Sequence, residues 1–507
     1  MIFLPLRNAT AVPLERIDES GFDDFRGGVL EEVENGLRLA SLFACSDASG
    51  EDGVLMFAVL ADDAAGRILV GRTRLLGDDY PALTPLCPQA HLFEREMAEQ
   101  FGVNPKGHPW LKPVRFRTSW RPERDAFGRA PGEAPVPGVT SFFRVEGEEV
   151  HEVAVGPVHA GVIEPGHFRF QCHGERVFHL EISLGYQHRG VEEALLGGPR
   201  KLTIHQMETL AGDTTVGHTI AYAQALEALS ETTPPARAQS LRGVSLELER
   251  LANHTGDLGA LAGDVGYLPT ASYCGRIRGD FLNLTASLSG SRFGRGLIRP
   301  GGTGFDVDDA SVADLTARLA RAGDDVRGAV ELLWATPTVV ARFENTGTVS
   351  RALAEEIGLV GPAARATGLS RDVRQDHAHG IYRYAHIPVM TAHYGDVNSR
   401  AVVRWLEMQQ SLTFVAEQLA ALPKTPVRTP LAPLAKESLA VSLVEGWRGE
   451  ICHVAVTDAE GRFARYKITD PSFHNWFGLA LALRGGEISD FPLCNKSFNL
   501  SYCGHDL

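Results

Sequence analysis

Eight of the 18 histidines lie between residues 151 and 218, less than a seventh of the chain. Because imidazole titrates near neutral pH and binds transition metals, such a group could transfer protons or hold a metal ion. His167, His173 and His179 are six residues apart, so they would share one face of a single continuous strand. Neighbouring members would then stand about 20 Å apart, too far for one metal ion. We favour ordinary hydrogen-bonded histidines over a metal cluster and keep proton transfer as a hypothesis.

Two stretches near these histidines could also line a site. The segment "METLAGDTTVGH" (207–218) reads as a helix and carries Asp213 and His218. The segment "GYQHRGVEEALLGG" (185–198) has glycines that permit a tight turn, followed by a helical pattern. Its histidine–arginine pair could bind an anion or cap that helix, although a structural turn is favoured.

A third stretch, "ARATGLSRDVRQDHAHGIY" (364–382), is dense in ionisable groups. Seven of them fall within fifteen residues: Arg365, Arg371, Asp372, Arg374, Asp376, His377 and His379. They could form a solvated charged loop or an ion-pair network at an interface. Composition alone leaves both alternatives open.

The bulk composition is that of a globular protein of more than one domain. The chain has 507 residues, of which 44% are hydrophobic and 22% are charged. No apolar run reaches the roughly 18 residues of a membrane span, and the N-terminus lacks a secretion signal, so a cytoplasmic location is expected. The formal net charge of −14 argues against a nucleic-acid partner. Seven cysteines form no CxxC pair and are interpreted as scattered reduced thiols.

The chain divides at a segment rich in proline and glycine. We predict a small α/β module at 1–120, a linker at 121–149 and a larger module at 150–507. The first module has strand-like runs, "GLRLASLFAC" and "VLMFAVLA", and an amphipathic helix, "HLFEREMAEQFGV". The second begins with a small β-sheet in 150–190 and then turns helical. The fold class is therefore α+β, with a bundle of long helices.

Three long helices follow from apolar residues repeating every three or four positions. One spans about 241–262, with Glu247, Glu249 and Arg250 away from its apolar face. The second runs from about 311 to 335, and the third from about 402 to 422, where Pro423 ends it. These helices should pack together as the core of the larger module.

The order and wording of several stretches carry a resemblance to a known family. The stretches are "GPVHAGVIEPGHFRF", "LGYQHRGVEE", "AGDTTVGHTIAYAQALE", "LELERLANHTGDLGALAGDVG", "GRGLIRPGG", "GPAARATGLSRDVR" and "YGDVNSRAVVRWLEMQQS". Residues 150–507 thereby resemble the large subunit of energy-converting nickel–iron hydrogenases and the 49-kDa subunit of respiratory complex I. Residues 1–120 resemble the complex I 30-kDa subunit through "FEREMAEQFGVNPKGHPWLKPVRF". A fusion of the two is typical of formate-hydrogenlyase-type large subunits.

The resemblance implies that a nickel–iron centre has been lost. In the hydrogenases two CxxC pairs bind the metals, because soft thiolates suit nickel and iron. The matching positions here are Ala211, Thr214, Ser472 and Asn475, and none of them carries sulfur. We therefore expect no metal and no directly bound cofactor.

The resemblance also implies a polar cavity. The histidine–tyrosine pair that reaches the quinone in complex I is not intact here, although a quinone remains possible. Glu164, His167, Asp213 and His218 are the candidate catalytic residues, and they should converge with His474. A buried aspartate among histidines could carry protons. The alternatives are a scaffold without chemistry of its own and a true hydrogenase with unusual ligation.

The implied partners are the other subunits of a membrane-associated oxidoreductase. They are an iron–sulfur small subunit, ferredoxin-like subunits that carry iron–sulfur clusters, and antiporter-like membrane subunits. The chain should then sit peripherally on the inner face of the cell membrane.

Overall fold

The computed structural model describes residues 2–46, 53–130, 133, 135–159 and 163–507. The chain is 42% helical and 19% strand, with sheets near both ends and helices between them. The expected α+β class is confirmed. Among the described residues, no helix is both long and apolar enough to cross a membrane.

The elements are numbered in chain order. The strands are β1 (Leu4–Leu6), β2 (Thr10–Pro13), β3 (Glu19–Ser20), β4 (Arg38–Ser46), β5 (Val54–Asp62), β6 (Arg67–Leu75), β7 (Asp79–Pro81), β8 (Asn104–Lys106), β9 (Val150–Val155), β10 (His167–His173), β11 (Arg176–Ser183), β12 (Ile298–Arg299), β13 (Gly302–Thr303), β14 (Ser438–Gly446), β15 (Gly449–Thr457) and β16 (Phe463–Thr469). The α-helices are α1 (Phe22–Glu34), α2 (His91–Phe101), α3 (Val191–Ala194), α4 (Thr203–Met207), α5 (Thr215–Leu229), α6 (Ala236–Asp264), α7 (Leu268–Ser289), α8 (Asp309–Trp334), α9 (Pro337–Phe343), α10 (Arg351–Glu356), α11 (Gly361–Arg365), α12 (Val373–Asp376), α13 (Val397–Ala420), α14 (Pro471–Ala482), α15 (Phe491–Phe498) and α16 (Tyr502–His505).

The N-terminal sheet has the strand order β1-β6-β5-β4, with β3 beside β6. Both predicted strand runs form, as β4 and β5, because their apolar residues are buried on the two faces of the sheet. The predicted amphipathic helix forms as α2 and buries Phe93, Met97 and Phe101 against this sheet. The local pattern of apolar residues was therefore sufficient to predict β4, β5 and α2.

The helical bundle consists of α6, α7, α8 and α13. The three predicted helices are confirmed, and each begins and ends within a few residues of its expected bounds. Their apolar faces meet in one core, which includes Leu251, Phe281, Val326 and Met408. This core is the rigid support on which α5 and the C-terminal strands rest.

A second sheet, of order β16-β15-β14-β2, was not anticipated. Strand β2 comes from the start of the chain and pairs with β14, with Val12 opposite Leu439. Phe43 and Val59 of the first sheet share a buried core with Val441 and Val454 of the second. The two predicted modules are therefore joined by a common sheet and a common core. Residues 121–149 contain no helix or strand in their described part.

The small sheet predicted at the start of the larger module is present as β9, β10 and β11, in the order β11-β10-β9. The three evenly spaced histidines do not lie on one strand, because residues 174 and 175 turn the chain into a hairpin. His167 and His173 belong to β10, and His179 lies on β11 opposite Gln171.

Candidate functional site

The segment 207–218 is mostly a turn, which corrects the expected helix. Helix α4 ends at Met207 and α5 begins at Thr215, so Ala211 and Thr214 lie in the connection. The start of α5 is fixed by Glu249 of α6, whose carboxylate accepts the backbone N–H groups of Val216 at 2.7 Å and Gly217 at 3.1 Å. The two carboxyl oxygens of Glu249 thus satisfy N–H groups that have no partner within the helix.

Asp213 lies at the apex of this turn and is paired with Arg448. Its two carboxylate oxygens accept Arg448 Nη1 at 2.5 Å and Nη2 at 2.8 Å. The guanidinium also stacks on the ring of Trp447, 3.9 Å from its centroid. The Asp213 side chain is 32% exposed and that of Arg448 only 4%. Asp213 is thus an accessible carboxylate held in place by a buried, bidentate cation.

Glu249 places a second carboxyl group beside Asp213. It was expected away from the apolar face of its helix, and it lies there, but it is 8% exposed and not in solvent. Burial is the main cause that raises the pKa of Glu249 to about 8. The negative charge of Asp213 adds to the rise, and the hydrogen bonds from the backbone of Val216 and Gly217 lower the pKa in part. At neutral pH this carboxyl group is therefore mostly protonated.

We expect Glu249→Gln to remove a pH dependence from the stability of the chain. The pKa rises from an ordinary 4.5 to about 8, so the folded state binds the proton more tightly. Wild-type stability should fall as the pH rises through this window, by at most about 1.4 kcal/mol per pH unit. The glutamine has one hydrogen-bond acceptor fewer at every pH, which lowers stability by a constant amount. The slope of stability against pH therefore tests the prediction, and the constant difference does not.

The measurement is urea denaturation at several values between pH 5 and 8.5, and the stability of Glu249→Gln relative to wild type should rise with pH. Glu417→Gln, at an exposed position of α13, serves as the control and should keep the wild-type slope. Equal slopes for wild type and Glu249→Gln would contradict a proton bound at Glu249.

His218 is fully buried and belongs to a chain of side chains that we call the buried relay: Asp470, His218, His453 and Tyr466. His218 Nε2 is 3.0 Å from Asp470 Oδ2, and its Nδ1 is 3.1 Å from His453 Nε2. His453 Nδ1 is in turn 2.9 Å from the hydroxyl of Tyr466. Four polar groups from α5, two strands and the start of α14 are therefore linked without water.

The buried relay has room for one additional proton. When His218 is neutral and Asp470 ionised, Tyr466 donates to His453, His453 donates to His218, and His218 donates to Asp470. A proton added to His218 makes both of its nitrogens donors, so the bond to His453 reverses. Burial lowers the pKa of His453 well below its usual range, which keeps that ring neutral. A proton on His218 Nε2 would lie next to the Asp470 carboxylate.

Asp213 and the buried relay are connected electrostatically through Arg448. Burial acts to raise the pKa of Asp470, but the hydrogen bond from His218 and the charges around it, including Arg448, hold it below its usual value. The same guanidinium binds Asp213 directly. A change of charge at Asp213 therefore changes the electrostatic potential at Asp470.

Glu164 lies against Cys503, near the C-terminus. Burial and the neighbouring carboxylate of Glu164 raise the pKa of the Cys503 thiol, and the backbone N–H of Gly212 partly opposes this. Glu164 and the backbone N–H of Gly212 thus both contact Cys503. Glu164 is partly exposed, as Asp213 is.

His167 and His474 are not part of this arrangement, which corrects the expected convergence of five residues in one cavity. His167 Nδ1 is 3.2 Å from the carbonyl oxygen of Gly156, and its ring packs on Phe142. His474 is buried against Phe93, and burial lowers its pKa to about 4. The hairpin and α14 direct these two rings elsewhere.

At the first pair of positions that the resemblance matches to metal ligands, the side chains do not fit a nickel–iron centre. Ala211 offers only a methyl group, and it is fully buried. The hydroxyl of Thr214 accepts Trp447 Nε1 at 3.1 Å and Arg448 Nη1 at 3.2 Å. Neither of these two side chains offers a soft ligand, and the single oxygen is already engaged.

The second pair of positions, in α14, is equally committed to internal hydrogen bonds. The Ser472 hydroxyl accepts the backbone N–H of Ser501 at 2.8 Å. The Asn475 amide both donates to and accepts from the backbone of Val360, at 3.0 and 3.1 Å. In the described part of the chain, no three His, Cys, Asp or Glu side chains are grouped to hold a metal ion.

The charged stretch 364–382 resolves into a buried network and not a solvated loop. We call this the buried ion network: Glu247, Arg250, Arg365, Asp372, Arg374, Glu407 and Glu445. Arg365 is its centre, with Nε 2.8 Å from Glu407 and Nη1 2.8 Å from Glu445. The network joins α6, α11, α12, α13 and β14 beneath the site.

Two stretches of the chain match models of known protein families. Residues 29–131 match the family model "Respiratory-chain NADH dehydrogenase, 30 Kd subunit", and residues 264–438 match "Respiratory-chain NADH dehydrogenase, 49 Kd subunit". Among curated relatives, the carbon monoxide-induced hydrogenase of Rhodospirillum rubrum is 29% identical over 69% of this chain and 97% of its own length.

Two relatives from Escherichia coli (strain K12) also cover most of the chain. Formate hydrogenlyase subunit 5 is 28% identical over 84% of this chain and 76% of its own length. Hydrogenase-4 component G is 29% identical over 84% of this chain and 75% of its own length. The chain thus carries complex I 30-kDa and 49-kDa domains in one polypeptide and is a homologue of these hydrogenase subunits.

Proposed function

We propose that the chain is the site-bearing subunit of a membrane-associated oxidoreductase related to complex I, and that it couples reduction of an electron acceptor to proton transfer without a nickel–iron centre. Its relatives are subunits of hydrogenase and complex I-like assemblies, which supports the subunit role. The four positions that the resemblance matches to metal ligands carry no sulfur, and Thr214, Ser472 and Asn475 are engaged in internal hydrogen bonds, which supports the absence of the metal.

The observation that carries the proposal is the placement of two accessible carboxylates around one turn. Glu164 and the backbone N–H of Gly212 both contact Cys503, and Asp213 is bound to Arg448, which also acts on Asp470. A proton taken up at Asp213 weakens its hold on Arg448. The guanidinium then stabilises the Asp470 carboxylate more strongly and alters the affinity of the buried relay for a proton.

A quinone is the class of acceptor that suits this arrangement, because it takes up protons together with electrons. The groups around the turn are two carboxyl groups and a thiol, and each of them donates a hydrogen bond only while it is protonated. This set differs from the histidine–tyrosine pair of complex I. Here Glu164 and Asp213 would orient the acceptor and supply protons, and Glu249 would hold a proton in reserve behind Asp213.

The proposed partners are an iron–sulfur small subunit, ferredoxin-like subunits and antiporter-like membrane subunits. In this assembly the chain would lie peripherally on the inner face of the cell membrane. The relative from Pyrococcus furiosus (strain ATCC 43587 / DSM 3638 / JCM 8422 / Vc1) is a membrane-bound hydrogenase subunit alpha, which supports this location.

Asp213→Asn in the assembled complex tests the proposal. The asparagine keeps a hydrogen bond to Arg448 but cannot carry the charge or the proton, so turnover should fall at least about tenfold. Asp306→Asn is the matched control, because Asp306 forms an ion pair with Arg237 at an exposed position. Both variants should copurify with the partner subunits, as wild type does.

A structural scaffold is the second candidate function, favoured by the internal hydrogen bonds that fill the lost metal positions. Wild-type turnover in Asp213→Asn would support this scaffold and contradict a proton-coupling role. Stoichiometric nickel in the purified complex, measured by elemental analysis, would instead contradict the loss of the metal centre.

A further inference from the structure

A cleft of about 650 Å³ opens between the start of α2, the segment 109–114, strand β11 and the end of α14. This volume is in the range that encloses one drug-sized ligand. Its walls include none of Glu164, Asp213 or His218. The cleft is therefore separate from the site of the proposed function.

The walls of this cleft are mainly apolar and aromatic. They include Trp110, Phe143, Ile182, Phe477 and Ala480. The Phe477 ring lies 5.1 Å from the ring of His91, and the Phe143 ring 4.6 Å from that of His179. Walls of this kind bind the apolar body of a ligand by removing it from water.

The charged side chains of the cleft are predominantly cationic. Arg95, Lys112 and Arg484 line it together with a single carboxylate, Glu181. Lys112 forms an ion pair with Glu181, which leaves the two arginines. Neither forms an ion pair within the described residues, and Arg484 is exposed. The cleft therefore has an excess of positive charge that suits an anion.

Arg95 is the buried part of this positive charge. It is 8% exposed, and its guanidinium donates at 2.8 Å to the carbonyl oxygens of Lys112 and Pro113. Burial lowers the pKa of Arg95 to about 10, so it stays charged at neutral pH. In the part of the chain that the structure describes, its guanidinium donates only to carbonyl groups, and the charges of Glu181 and Glu99 oppose only part of the effect of burial, so an anionic ligand would stabilise it further.

His91 provides an unused hydrogen-bonding group next to Arg95. It is one helical turn away on the same face of α2. Its Nδ1 is buried and has no hydrogen-bond partner among the described residues. Burial and the charge of Arg95 lower its pKa well below the usual range, so the ring is neutral and can share one hydrogen bond with a ligand.

We propose that this cleft binds a free single-chain organic anion of the fatty-acid class. Its carboxylate lies at the cationic wall near Arg95 and His91, and its alkyl chain runs along the aromatic wall. A single chain is required because the volume fits one small ligand and not a two-chain lipid.

The test is a titration of the full chain with 12-bromododecanoate, kept below its micelle concentration. Bromine quenches tryptophan fluorescence on contact, and Trp110 and Trp476 line the cleft. Wild type should show saturable quenching. Ala480→Phe fills the cleft and should weaken binding at least about tenfold, and Arg484→Gln should weaken it about fivefold. Arg321→Gln, at an exposed position of α8, is the charge-matched control and should bind as wild type does.

Two competitors separate the proposed ligand from general surfactant binding. Dodecanoate should displace the probe, and dodecyltrimethylammonium should not. The proposal is overturned if the cation displaces the probe equally well, or if Ala480→Phe binds like wild type. Tryptophan quenching by brominated phosphatidylglycerol vesicles alone would indicate a lipid surface and would also overturn the proposal. So would a free acid that fails to quench wild type together with an Ala480→Phe variant that loses its partner subunits, because the cleft would then be a protein interface.

Discussion

Replacing Arg365 with methionine is expected to lower the free energy of unfolding of the chain by about 3–5 kcal/mol. Arg365 is fully buried and binds the carboxylates of Glu407 and Glu445 as well as the carbonyl oxygen of Arg371. Methionine fills much of the same volume, but it leaves two buried carboxylates without their central cation. The loss is therefore one of charge compensation and not of packing.

A second substitution should recover part of this loss. Burial raises the pKa of Glu445 above its usual range, so this is the carboxylate of the buried ion network that is easiest to neutralise. Arg365→Met/Glu445→Gln is therefore expected to be more stable than Arg365→Met alone. The control, Arg351→Met, removes an exposed arginine paired with Glu355 and should change stability by less than about 1 kcal/mol.

Denaturation curves of the four proteins measure these differences. A double variant no more stable than Arg365→Met would show that the network does not act as one electrostatic unit. An Arg365→Met protein as stable as wild type would show that the network contributes specificity and not stability.

Much of the fold could be predicted from the sequence where the determining pattern is local. The apolar repeats of α6, α8 and α13 and the runs of β4 and β5 each lie within one segment. The second sheet could not be predicted in this way, because β2 and β14 are more than 400 residues apart. Nothing in the residues of β2 specifies a partner at that distance.

In the candidate site, too, residues recognisable from their own segment were predicted, and partners from distant segments were not. Asp213 and His218 were identified from residue type and from the resemblance, and both take part in specific contacts. Their partners Arg448, His453 and Tyr466 were missed because they come from the unanticipated sheet. The sequence analysis placed Glu247 and Glu249 away from the apolar face of α6. Glu247 is nevertheless buried, because it pairs with charged side chains such as Arg374. The spacing of apolar residues carries no information about such partners. The Asp470-Pro471 pair was a usable signal, since this dipeptide is a common helix start.

Asp470→Asn is expected to lower the turnover of the assembled complex about a hundredfold, within the range that proton transfer contributes to catalysis. Asp470 also caps α14, and its Oδ1 accepts the backbone N–H of Ser472 at 2.8 Å. In the variant, the asparagine oxygen can still accept the backbone N–H of Ser472. The amide nitrogen then takes the position of Oδ2 and faces His218. That nitrogen donates where the carboxylate accepted, so His218 must accept at Nε2 and carry its proton on Nδ1. His218 then donates to His453, and His453 donates to Tyr466.

This one isosteric change therefore reverses every hydrogen bond of the buried relay and leaves no place on His218 for a second proton. Turnover measured across pH should lose the limb that depends on protonation of the relay, and the ¹⁵N shifts of labelled histidines should report the changed tautomers. Asp308→Asn, at the cap of α8, makes the same chemical change where no histidine is bound and should behave as wild type. If Asp470→Asn changes the histidine tautomers but leaves turnover intact, the buried relay organises the core and does not carry the proton.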